Sequence, residues 1–199
     1  MKEARYISGF MMLVVVGLPG AGKGVAADIF EEEGFVIIEL GDIWRELAKK
    51  ANIPLSDPLA RTEFTGRLRE EYGKGVYGKY AVRRVKKSMK NVVFLGLRST
   101  YELAELRKRL EGIKIIAIDA PRDMRFERLR SRSRPEDPKT IEAFIEHENW
   151  EKRGFLADKK EEKHGVMALI KQADYIVENI GTKEDLRKDI ERVLSDIQK

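Results

Sequence analysis

The stretch Met11-Met12-Leu13-Val14-Val15-Val16-Gly17-Leu18-Pro19-Gly20-Ala21-Gly22-Lys23-Gly24-Val25 decides the fold. Its first six residues form an unbroken apolar run, the pattern of a strand buried on both faces. The next eight spell G-x-x-x-x-G-K and a further glycine. Glycines let successive backbone N–H groups turn inward as a nest for anion oxygens. A helix opening at Lys23 adds the partial positive charge of its N-terminus, and Lys23 adds a full cation suited to the β- and γ-phosphates of a nucleotide. The residues expected to hold such a nucleotide are Gly17, Leu18, Pro19, Gly20, Ala21, Gly22, Lys23, Gly24 and Val25. A Ser or Thr hydroxyl usually follows the lysine and binds Mg²⁺; here Gly24 and Val25 stand in its place.

Working outward, the spacing predicts a helix over Lys23–Glu33 with Ala26, Ile29 and Phe30 on one face, ended by Gly34. Phe35–Leu40 reads as a second strand, and Asp42 as the cap of a helix running to Ala51. Helical stretches follow over Leu59–Tyr72 and Lys79–Ser88, split by Gly73-Lys74-Gly75. Strands are expected at Val92–Leu95, Ile113–Ile118 and Tyr175–Val177. Capping boxes at Ser99/Glu102 and Thr182/Asp185 open two more helices. Pro121 suits a first helical position, Asp137-Pro138 starts another helix, and Val166–Gln172 is a short one. Strands alternating with helices imply an α/β fold, a parallel sheet of five strands with helices on both faces. Ligands of such sheets sit beyond the carboxyl ends of the strands.

The chain has 199 residues, 42% hydrophobic and 37% charged, and no cysteine. That length fits one domain with a sizeable core. A disulfide scaffold or a cysteine-held zinc site is excluded. No apolar run approaches the roughly 20 residues of a membrane helix, so a cytoplasmic protein without a membrane partner is expected. Residues 1–10 read as a leader, with Met11 or Met12 as a second candidate start. The net charge of +5 agrees with an anionic ligand. Abundant Lys, Arg and Glu with few Gln suits a hyperthermophile.

Several motifs carry a resemblance to known enzymes. Gly17-x-Pro19-Gly20-x-Gly22-Lys23-Gly24 resembles the phosphate loop of adenylate kinases. Gly41-Asp42-Ile43-Trp44-Arg45 and Gly96-Leu97-Arg98 resemble their acceptor-side motifs, and Arg128 with Arg132 the pair that flanks their lid. The ending Ala173-Asp174-Tyr175-Ile176-Val177-x-Asn179-x-Gly181 is similar to dephospho-CoA kinase. The whole pattern is most like an unassigned archaeal family related to both. The resemblance implies a three-layer P-loop NTPase fold with a helical acceptor insert over about 52–90 and a lid over about 133–165. It implies ATP and Mg²⁺ as cofactors and a small phosphate-accepting molecule as partner. By the same analogy, Arg45 and Arg98 hold the acceptor phosphate, while Arg128 and Arg132 stabilise the transferred phosphoryl group beside Lys23. Asp42 orients a magnesium-bound water or the acceptor, and Asn179–Gly181 lie near the adenine. The chain departs from these kinases at Leu95, where they carry an aspartate.

Six arginines crowd Arg122–Arg134, and Arg125, Arg128 and Arg132 share one helical face. They read either as a phosphoryl clamp or as a solvated basic helix. Arg153 is a further candidate lid arginine. Trp44 and Trp150 read as packing, and His147 and His164 as surface residues. Tyr72, Tyr77 and Tyr80 interleave with basic residues, but such tyrosines more often line the inner edge of a helix, so nucleic acid is not the expected partner. The leading expectation is a phosphotransferase acting on a nucleotide-like acceptor. The competing expectation is an ATP-binding switch or weak ATPase acting through a protein or RNA partner, suggested by Gly24 and Leu95.

Overall fold

The computed structural model describes residues 11–132, 137–153 and 164–199. The expected leader at 1–10, and residues 133–136 and 154–163 of the expected lid, lie outside the described residues.

The apolar run Met11–Val16 is β1, and it lies at the centre of the sheet. The sheet also contains β2 (Val36–Glu39), β3 (Asn91–Leu95), β4 (Lys114–Asp119) and β5 (Tyr175–Glu178). Their order is β2-β3-β1-β4-β5 and every pairing is parallel. Position in this order explains composition. β1 and β3 are paired on both sides and almost wholly apolar, whereas the edge strands β2 and β5 each leave two residues exposed.

The two-residue period of β1 divides the core. Met12, Val14 and Val16 point to one face, and Leu13 and Val15 to the other. The second face is covered by α1 (Lys23–Glu32) and α9 (Lys183–Ile197), through Ala26, Ile29, Phe30, Leu186 and Ile190. Phe30 is fully buried and packs edge-on to Phe35; truncation of such a side chain typically costs about 3–5 kcal/mol. The first face is covered by α2 (Leu40–Lys50), α4 (Val76–Arg84), α5 (Thr100–Arg107) and α8 (Val166–Ile170). Gly78 permits the close approach of α4 to α5, because a Cβ there would lie 2.4 Å from the Glu102 carbonyl oxygen. Three layers therefore enclose two apolar clusters. α3 (Pro58–Tyr72) stands in the expected insert, and α6 (Arg122–Arg132) and α7 (Ile141–Arg153) follow β4.

Both expected capping boxes form. The Glu102 carboxylate also accepts the N–H of Arg98 at 2.7 Å, so the same cap fixes the loop after β3. Asp57 caps α3 by accepting from the N–H groups of Leu59 and Ala60.

Three local expectations are corrected. Asp42 is not the cap of α2: the helix starts at Leu40 directly after β2, which places Asp42 in its first turn, where a carboxylate still favours the helix dipole. α4 spans 76–84 rather than 79–88, since the core contacts of Val76 and Tyr77 draw the start forward. α7 begins at Ile141 rather than at Asp137, whose carboxylate instead pairs with Arg132.

Candidate active site

The loop Gly17–Gly24 joins β1 to α1 at the carboxyl end of the sheet. Gly22 ends the loop as N-cap of α1 with φ 105°, a left-handed conformation that disfavours any residue with a Cβ. A Cβ would also lie 2.0 Å from Nδ2 of Asn179. That amide donates to the carbonyl of Ala21 at 2.9 Å, while the Asn179 backbone N–H donates to Asp119 O at 2.7 Å. Asn179 is buried and braces the loop from the end of β5. Arg128 on α6 extends the brace by donating from Nη2 to the carbonyl of Asn179 at 2.8 Å. Its Nη1 is also buried and has no hydrogen-bond partner among the described residues.

Lys23 Nζ donates to the carbonyls of Gly17 (2.8 Å) and Leu18 (3.1 Å). Desolvation lowers its pKa to about 8, aided by Arg98, Arg132 and Arg125 and opposed by Glu151. A lysine poised this close to neutrality becomes fully charged when an anion enters beside it.

Two buried carboxylates on α7 organise the cations around the loop. Glu148 has no exposed surface and accepts from Lys152 (2.7 Å), Arg122 (2.8 Å) and Arg125. Desolvation raises its pKa, but the three cations outweigh that effect and hold it at about 2. Arg125 is buried as well and also donates to Ala120 O at 2.9 Å and Pro19 O at 3.3 Å. It thereby ties α7 and α6 to the loop. Glu151, also buried, pairs with Arg98 Nη1 at 3.1 Å and lies 3.9 Å from His147 Nε2. The Arg98 guanidinium lies 5.8 Å from the Trp150 ring centre.

The sequence-predicted residues therefore divide. Lys23, Arg128 and Asn179 meet at the loop, and Arg132 faces Asp137 in a two-pronged pair at 2.9 and 2.5 Å. Arg98 stands across from α7. Asp42 and Arg45 pair with each other at 2.5 Å on an exposed face, with Glu39 at 3.7 Å from the same guanidinium. Gly181 lies beside Asp185 in the exposed turn that opens α9. The side chain of Arg153 lies outside the described residues. Trp44 packs edge-on to Phe64 and donates to Thr65 at 3.0 Å. Neither histidine is a plain surface residue: His164 stacks on Tyr101 and bonds Thr100 Oγ1 at 2.7 Å, and His147 Nδ1 is buried.

Sequence reasoning passed over Glu148 and Glu151. Their signal was present, because Phe144, Glu148 and Glu151 fall at i, i+4 and i+7, one helical face. Two acids in register with a core phenylalanine mark charges that the fold must neutralise internally.

The nest and Lys23 fit a polyphosphate. The donor set does not fit a protein-held magnesium ion. Gly24 and Val25 offer no hydroxyl, Leu95 no carboxylate, and Asp42 is taken up by Arg45. No group of three or more acidic, histidine or cysteine side chains among the described residues could hold a metal. Among the same residues no helix is long and apolar enough to cross a membrane.

Residues 16–144 match the AAA domain family. Among solved structures, the protein TT1252 from Thermus thermophilus superimposes with a TM-score of 0.59 at 18% identity, covering 95% of this chain and 98% of that one. Shikimate kinase from Aquifex aeolicus does so with a TM-score of 0.51 at 13% identity, covering 94% and 97%. These likenesses show the P-loop kinase fold. A UPF0200 protein of the archaeon Pyrococcus furiosus is 38% identical over 190 residues, which cover 93% of this chain and 96% of the relative. A likeness of that depth along nearly the full length of both chains places this one in the UPF0200 family.

Proposed function

We propose that the chain is a cytoplasmic ATP-dependent phosphotransferase. It would move the γ-phosphoryl group of ATP to a nucleotide or nucleotide-like small molecule, in the manner of a nucleoside monophosphate kinase or dephospho-CoA kinase. The observation that carries this reading is the braced loop at the carboxyl end of β1: Asn179 packs against Gly22 and bonds the Ala21 carbonyl, Arg128 holds Asn179 in turn, and Lys23 bonds the carbonyls of Gly17 and Leu18. A nest stiffened before the ligand arrives binds it without an ordering cost.

The roles assigned are those the resemblance implies. Amides of Gly17–Val25 and the Lys23 ammonium hold the β- and γ-phosphates. An acceptor oxygen attacks the γ-phosphorus, the bond to the β–γ bridging oxygen breaks, and ADP leaves with that electron pair. Charge on the transferring group spreads over its three peripheral oxygens. Arg128, through the buried Nη1, and Arg132 are the groups assigned to meet it. Arg98 and Arg45 are assigned to the acceptor phosphate, Asp42 to orienting the acceptor, and Asn179 and Gly181 to the nucleotide side. Magnesium, if required, would be supplied with the nucleotide, and no step is assigned to a protein-held ion.

The test is calorimetry with ATP and GTP, followed by product detection over a panel of nucleoside monophosphates and dephospho-CoA. ATP uptake that Lys23→Ala abolishes, with phosphate appearing on one acceptor class, is the expected result. ATP uptake with no acceptor modified would replace this reading by the switch or weak ATPase. No nucleotide uptake would overturn both.

A further inference from the structure

Charge is spread unevenly over the molecule. The five strands run parallel, so the connections that enter them meet at the end of the sheet away from the phosphate loop, about 20 Å from it along the six residues of β1. Two of these connections feed β3 and β4, the strands that flank β1. The first, residues 85–90, carries Lys86, Lys87 and Lys90, all exposed, and no acid. The second, the end of α5 and its link to β4 over residues 105–114, carries Arg107, Lys108, Arg109 and Lys114 against Glu105 and Glu111. The surplus of five cations equals the net charge of +5 of the whole chain, so the rest of the sequence, the phosphate loop and its arginines included, is neutral on balance. Lys108 pairs with Glu105 at 2.7 Å, and Lys114 with Asp174 of the connection into β5 at 3.4 Å. No carboxylate among the described residues pairs with Lys86, Lys87 or Lys90.

We propose that this basic pole docks the phosphate backbone of a nucleic-acid duplex, without regard to base sequence. The proposal is separate from the phosphotransferase reading, because the pole lies at the opposite end of the sheet. β3 and β4 are two strand spacings apart, about 10 Å. Over that length a duplex presents about six backbone charges, enough to match the surplus of five. The rest of the surface selects this polyanion over others. Val85, Leu106, Leu110 and Ile113 are buried, and none of the exposed large hydrophobic side chains among the described residues stands on the two connections. A protein partner would need an apolar centre and selects against lysine, yet five of the seven cations are lysines. A membrane surface would need an apolar face to insert beside the charge. Backbone phosphates require only cations, and released counterions drive the association. A single strand would need exposed rings on which to stack its bases, and neither connection contains an aromatic residue. Of the tyrosines near basic residues in the sequence, Tyr77 is buried and Tyr80 lies under the Arg83 guanidinium.

The experiment titrates the full chain, without ATP, into labelled DNA and RNA duplexes of about 20 base pairs and reads fluorescence anisotropy between about 50 and 200 mM KCl. Duplexes of unrelated sequence should bind alike within about twofold, with a log–log salt slope for DNA of about −4.5, or about −0.9 for each of five phosphates. Binding of either duplex supports the proposal, and the tighter one identifies the source. The combined variant Lys86→Glu, Lys87→Glu, Lys90→Glu should weaken binding by about tenfold or more at the lowest salt and flatten the slope by about 3. The combined variant Lys183→Glu, Lys188→Glu, Arg192→Glu changes the net charge equally but on α9, and should weaken it by about threefold at most. Equal losses in these two variants would reduce the effect to net charge and overturn the proposal. Should the first variant not fold, glutamine at the same three lysines must flatten the slope alike, and an unchanged slope overturns it. Lys23→Ala should leave duplex binding within about twofold; its loss would move the contact to the phosphate loop and overturn the proposal. So would absence of duplex binding at the lowest salt, or tighter binding of a single strand, of polyglutamate or of phosphatidylserine vesicles. None of these readouts needs turnover, so a chain that binds duplexes and phosphorylates nothing refutes only the phosphotransferase reading, and the reverse refutes only the basic pole.

Discussion

Glu148 and Glu151 sit three residues apart on α7 and each meets an arginine, yet the two pairs serve opposite ends. Glu148 and Arg125 are both sealed from solvent, and Arg122 and Lys152 complete the neutralisation. Glu151 is buried too, but its partner Arg98 is half exposed. Identical chemistry gives a bolt in one case and an exchangeable contact in the other. The difference lies in the cation: a buried guanidinium has no alternative to its carboxylate, whereas one that reaches water can trade partners at little cost.

The largest effect expected is on the bolt. Glu148→Gln leaves Arg125 buried without its counter-charge and should cost about 3–5 kcal/mol in urea denaturation, whereas Arg98→Ala removes a half-exposed cation and leaves Glu151 beside His147, and should cost less. Equal losses would break the distinction. The same contrast predicts acid behaviour. A carboxyl whose folded pKa lies near 2, below its unfolded value, adds stability above the unfolded value that is lost as pH falls toward 2. Wild type and Glu148→Gln should therefore differ most near neutrality, and their melting curves should converge as pH drops from about 4.5 to 2. A gap that persists at pH 2 would assign the effect to packing rather than charge.

Lys23 sharpens the exposed side of the comparison. With a pKa of about 8, the free protein loses the ammonium as pH rises through that value. ATP affinity should be flat below about pH 7 and fall by up to about tenfold per unit above 8, with proton uptake visible as buffer-dependent binding heat. Because Glu151 supports the ammonium and Arg98 opposes it, the fall should move to lower pH in Glu151→Gln and to higher pH in Arg98→Ala. Shifts in the reverse sense would break the placement of both groups. The smallest effect belongs to the pair in which both partners reach water: Asp42→Asn or Arg45→Ala should change stability by about 0.5 kcal/mol or less, and any loss of acceptor affinity in these variants would then report contact with the substrate rather than folding.

The sheet and the loop were legible in the sequence for a simple reason. Met11–Val16 is apolar without interruption, and its glycine-rich continuation has few backbone solutions. Capping boxes read equally well because Ser99/Glu102 and Thr182/Asp185 act within one turn. Asp42 shows where local signals fail: a good capping residue is not a cap when β2 runs straight into α2 and the helix begins two residues earlier. The start of α4 was set by Val76 and Tyr77 meeting the core, a contact no local pattern contains.

By itself, then, the amino-acid sequence determined the strand–loop–helix unit at Gly17–Gly24, the parallel alternation of strands and helices, and the supply of arginines, since each depends on residues close in the chain. Tertiary structure alone decided which arginines became scaffold and which could still face a ligand. The fate of an ion pair is set by how much water both partners keep, and that depends on how α6 and α7 pack against the loop.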